Sequence, residues 1–109
     1  MQPQGHVQII SNIIDRKMNV QEALCAPRIR VLKDNQVALE ETFEADVIAG
    51  LVQLGHERVT SESAPSDWGQ PHIFARSFKG GAQAIMLDPE LHTLSGASDS
   101  RLDGIPIGY

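Results

Sequence analysis

Val7, Ile10 and Ile14 fall on one stripe with Ile9 and Ile13 beside it, just behind a polar lead-in that contains Pro3 and Gly5. This i, i+3, i+4, i+7 spacing predicts an apolar helix face. Pro3 is tolerated in the first turn, where an N–H has no intrahelical partner anyway. Arg16 and Lys17 then place positive charge at the negative end of the helix. Asn19-Val-Gln-Glu22 reads as a capping box, with Asn19 accepting from the backbone and Glu22 reaching back. The short helix it opens, Val20 to about Cys25, must stop before Pro27, because the residue ahead of a proline avoids the helical region. Arg28 to Leu32 alternates with period two, Lys33-Asp-Asn-Gln36 turns, and Val37-Ala-Leu39 resumes extended, which predicts a hairpin.

Thr42 is the expected cap of a second long helix, with Glu44 and Asp46 in its first turn. Val47, Ile48, Leu51 and Leu54 form its expected buried stripe, and Gly55 ends it as the residue after the cap. Gly50 inside that helix costs about 1 kcal/mol against alanine, which predicts close packing there. His56 to Glu62 reads as a short strand. Ser61 to Pro71 is the longest turn-rich segment and predicts a mobile loop. His72 to Phe78 and Ala82 to Leu87 read as strands joined through Gly80-Gly81. Asp88 to His92 turns into Thr93-Leu94, and Gly96 to Gly104 closes the chain with loops. The whole is α+β: one segment, 1–109, with helices layered on a β-sheet and no internal repeat or linker.

A chain of 109 residues is one small domain or a piece of a larger one. Its hydrophobic content is enough for a core. The net charge of −5 is spread along the chain, no basic run appears and aromatics are few, so a nucleic-acid partner is disfavoured. No apolar run reaches the roughly 18–20 residues of a membrane span, and the start carries no secretory signal pattern. A single cysteine rules out an internal disulfide framework and leaves the compartment undetermined. Entry into a helix almost at once predicts a segment cut from a longer chain.

Candidate chemistry is sparse. Cys25 sits at a helix C-terminus, where the dipole disfavours a thiolate, with no cation beside it in sequence, and is expected to be a packed, inert thiol. His6, His56, His72 and His92 show neither an i, i+4 pair nor a Cys or Glu at ligand spacing, so neither a metal nor a cofactor is expected. Gly96-Ala-Ser-Asp-Ser100 resembles a nucleophile elbow but lacks its final glycine and its following helix, and is read as a structural turn. Asp99 and Asp103 are available there for local bonds to backbone N–H groups, and Arg101 between them is read as a structural ion pair. Gly80-Gly81 reads as a hairpin turn. Gln2, Gln4 and His6 lie at the positive end of the first helix dipole, where unpaired N–H groups can help line a site.

Taken in order, Gln2-Pro-Gln-Gly-His-Val-Gln8, Asp15 with Met18-Asn19, and Glu22-Ala-Leu-Cys-Ala-Pro-Arg28 resemble the small-subunit region of the γ-glutamyltransferase (γ-glutamyltranspeptidase) family, just after its active-site glycine pair. Gly81-Ala-Gln-Ala-Ile85, Gly96-Ala-Ser-Asp-Ser-Arg101, Asp103-Gly104 and Gly108-Tyr109 resemble that family's C-terminal end. The match runs nearly end to end, with one departure: the family commonly has proline where Ser100 stands. The resemblance implies an N-terminal-nucleophile hydrolase, an αββα sandwich of two sheets between helical layers. It also implies a precursor that cleaves itself into two subunits. A threonine freed at the start of the small subunit then attacks the γ-glutamyl amide of glutathione-like compounds, and the acyl group passes to water, an amino acid or a peptide. By the resemblance, that threonine, the groups that grip the glutamyl moiety and the oxyanion glycine pair all lie upstream of Met1. No catalytic residue carries over. Gln2, Gln4 and His6 are left as candidates for supporting the site from behind, and Asp99, Arg101 and Asp103 as structural.

The leading reading is therefore the C-terminal structural portion of a γ-glutamyltransferase-like protein, inactive alone. Its partners would be the remaining large- and small-subunit segments, or a second copy of itself. The alternative is a free-standing non-catalytic binding or assembly module that kept the fold. An independent hydrolase using Ser98 or Cys25 is the third.

Overall fold

The computed structural model describes residues 2–60 and 80–108. The expected loop at 61–71 and strand at 72–78, with His72, lie outside the described residues. The elements run α1 (Gln2–Ile14), α2 (Val20–Cys25), β1 (Ile29–Val31), β2 (Gln36–Leu39), α3 (Ala45–Gln53), β3 (Glu57–Arg58), β4 (Gln83–Asp88) and β5 (Thr93–Ser98). This is a mixed α+β chain, and it divides into two compact units: Pro27–Lys79, and Gln2–Ala26 with Gly80–Tyr109.

In the first unit β1 and β2 form the expected antiparallel hairpin, with Ile29 opposite Leu39 and Val31 opposite Val37. Glu40 closes its open end, its carboxylate accepting from the Arg28 N–H at 2.9 Å. β3 then pairs parallel with β2. Parallel neighbours need a crossover, and α3 supplies it. β2 is thus the central strand, bonded on both edges. Val37, Ala38 and Leu39 are buried in succession, as a strand covered on both faces requires.

Three expectations for α3 do not hold. Thr42 is not its cap: the Phe43 N–H donates to the Glu40 carbonyl, and this turn pushes the helix start to Glu44, which makes no side-chain capping bond. Nor is the Val47, Ile48, Leu51, Leu54 stripe buried. Ile48 and Leu51 are half-buried, whereas Val47 and Leu54 are exposed. Gly50 likewise faces open space rather than a close neighbour. Gly55 does end the helix, at φ +93°, a conformation that β-carbon residues rarely adopt.

In the second unit α2 runs over the expected residues. Asn19 Oδ1 accepts from the Glu22 N–H at 2.9 Å, and Glu22 Oε2 accepts from the Asn19 N–H at 3.0 Å. Ala26, ahead of Pro27, has left the helical region at φ −57°, ψ 147°. β4 and β5 form a six-pair antiparallel hairpin from Gln83 opposite Ser98 to Asp88 opposite Thr93. Its turn is closed by Asp88 Oδ1, which accepts from the N–H groups of Glu90 and Leu91. Gly96, Ala97 and Ser98 therefore lie in a strand, where loop had been expected.

The core of this unit is Val20, Leu24 and Ala97, with Ile9, Ala82 and Ala84 packed against it. α1 contributes to it through Ile9, whereas the predicted leading stripe Val7, Ile10, Ile14 is exposed. The apolar arc of α1 is wide, running from Ile9 and Ile13 to Val7, Ile10 and Ile14, so periodicity marks the arc but not which of its edges turns inward. Replacing Leu24, which is fully buried, by alanine should cost about 2–5 kcal/mol, read as a lowered denaturation midpoint. Gly50→Ala should instead stabilise by about 0.4–1 kcal/mol; a loss would show that the helix needs the missing Cβ.

Candidate functional site

The polar residues that converge most closely sit where α2 ends and β5 ends, inside the second unit. α2 terminates at Pro27, leaving carbonyls without intrahelical donors. Arg101 supplies them: Nη1 donates to the Leu24 carbonyl and Nη2 to the Ala26 carbonyl, each at 2.9 Å. A cation at the negative end of a helix is favourably placed. The same Nη1 meets Asp99 Oδ1 at 2.9 Å, with the two side chains 7% and 0% exposed. Asp99 Oδ1 also accepts from the Arg101 N–H, and Oδ2 accepts from the Ala82 N–H at 3.2 Å. Both carboxylate oxygens of Asp99 are thus engaged. Asp103 is exposed in the turn that follows.

Gln21 is the residue that sequence reasoning missed. Its Nε2 donates to the Ser98 carbonyl at 2.9 Å, and its Oε1 accepts from the Ser98 N–H at 3.3 Å, so one carboxamide pairs with the strand as another strand would. No local signal could have revealed this, because the partner is 77 residues away. Gln21 Nε2 also donates to Cys25 Sγ at 3.0 Å. Cys25 is exposed, contrary to the packed thiol expected. The cause is helical geometry: Leu24 points into the core, and the next residue is turned away by about 100°. Burial, the largest single effect, pushes the Cys25 thiol up, but hydrogen bonds from the Ser100 N–H, the Ser100 hydroxyl and Gln21 together outweigh it and hold the thiol below its ordinary value.

The Ser98 hydroxyl, by contrast, is not activated. Ser98 Oγ is buried without a hydrogen-bond partner, so no base takes its proton. It is covered by Gly104, where an added Cβ would lie 2.5 Å from Ser98 Oγ and 2.9 Å from Gln83 Nε2. Beside it, a groove of about 430 Å³ between Ile85 and Gly96 of the hairpin and Ile105–Ile107 of the tail is lined without a single titratable side chain. Among the described residues no three His, Cys, Asp or Glu side chains gather as a metal site would require. No helix there is long and apolar enough to cross a membrane. Gln2, Gln4 and His6 occupy the first two turns of α1, with Gln2 and His6 exposed and Gln4 half-buried.

A buried Asp–Arg pair thus ties a short capped helix to a hairpin. Residues 1–109 match the gamma-glutamyltranspeptidase family, to which the chain belongs. It is 35% identical over 101 residues to the acylase ACY 1 proenzyme of Pseudomonas sp. (strain V22), which covers 93% of this chain and 15% of that protein. It is 36% identical over 63 residues to the glutathione hydrolase proenzyme of Arthroderma benhamiae, covering 57% of this chain and 11% of that one. Among solved structures, cephalosporin acylase from Bacillus halodurans superimposes with a TM-score of 0.75 at 35% identity, over 94% of this chain and 17% of that one. The chain therefore spans less than a fifth of the length of these relatives.

Removing one member of a buried pair leaves the other charge uncompensated, so Arg101→Met should cost about 3–5 kcal/mol. Arg101→Lys should also destabilise, because a single ammonium cannot serve two carbonyls and a carboxylate in one plane; a wild-type unfolding midpoint for Arg101→Lys would contradict this. Cys25 gives a pH prediction. Its folded ionisation lies below the unfolded one, so its contribution to stability is fully present above the unfolded value and is lost as pH falls through the folded value. Ser100→Ala removes one donor and should move the pH profile of Cys25 alkylation by iodoacetamide upward.

Proposed function

We propose that this chain is the C-terminal structural portion of a γ-glutamyltransferase-like proenzyme, adding helices and strands to an αββα sandwich and having no activity alone. The observation that carries this reading is the outer face of the β4–β5 hairpin. Ile85, Leu87 and Leu94 stand there 74%, 62% and 69% exposed, while the small residues Ala84 and Ala97 occupy the inner side. A sheet that turns its large aliphatic residues outward is built to be covered by another layer. α1 supports the same reading. It exposes Val7, Ile10 and Ile14, an apolar stripe that a further layer would cover.

In the complete protein the chemistry would come from segments that this chain does not contain: a threonine nucleophile, the groups that bind the glutamyl moiety, and an oxyanion pair of glycines. Gln2, Gln4 and His6, at the positive end of α1, would orient the preceding loop from behind the reacting atoms. Relatives matched at 35% identity over nearly the whole chain include acylases, which supports a second reading of the donor, a cephalosporin-type amide in place of a γ-glutamyl amide. Parallel assays of the complete protein on a γ-glutamyl anilide and a cephalosporin amide would separate the two. The rival free-standing module would cover its apolar faces with a second copy and sediment as a cooperatively unfolding oligomer. The purified chain should give no measurable hydrolysis of a γ-glutamyl anilide, and appreciable turnover by pure material would overturn the proposal.

A further inference from the structure

We draw no further inference here: the strongest candidate, the exposed Cys25 thiol at the C-terminal end of α2, held below its ordinary pKa by Ser100 and Gln21, is a lone cysteine beside which no second group points to a ligand or reaction partner.

Discussion

The second unit depends on one buried ion pair. Asp99 and Arg101 are two residues apart, yet between them they reach three places in the chain: the end of α2 through the carbonyls of Leu24 and Ala26, the approach to β4 through the Ala82 N–H, and the turn beyond β5. A buried pair by itself is weak evidence for stability, since stripping water from two charges costs about as much as their attraction returns. What distinguishes this one is saturation. Both carboxylate oxygens accept, and the guanidinium also serves helix-end carbonyls that would otherwise face the interior without donors. The pair therefore specifies a geometry: α2 can end only where Arg101 can reach it.

Gln21 repeats this logic with neutral groups. Its carboxamide bonds the N–H and carbonyl of Ser98, so α2 is clipped to β5 one turn before Arg101 caps it. Together the two contacts hold the helix against a hairpin whose inner surface is small, Ala84 and Ala97, which allows close approach. Val20 and Leu24 then fill the space. The result is a tight but thin core.

That thinness bears on function. The side of the hairpin that faces the core carries Ala84, Ala97 and the partly exposed Met86, and the other side carries Ile85, Leu87 and Leu94. Most of the large apolar groups of the hairpin are thus on its exposed side. At the end of β5 the Asp99 carboxylate has both oxygens engaged, and the Ser98 hydroxyl is buried without a partner. The chain belongs to the gamma-glutamyltranspeptidase family, and the relatives it matches are several times its length.

Local chemistry made several features legible in the residues alone. The Asn19–Glu22 capping box, the stop before Pro27, the β1–β2 hairpin and the role of Gly55 all depend on contacts within a few positions, and each appears where spacing placed it. The family likeness, too, was readable from the Ala-Pro-Arg28 and Gly-Ala-Ser-Asp99 segments. Three matters were decided only in three dimensions. The inward edge of α1 was one, because its apolar arc is wider than the contact it makes in this unit. The partners of Gln21 and Arg101 were another, since contacts spanning 75 and 77 residues leave no local trace. The last was the exposure of Val47 and Leu54 in α3, which depends on what packs against a helix and not on the order of its own residues.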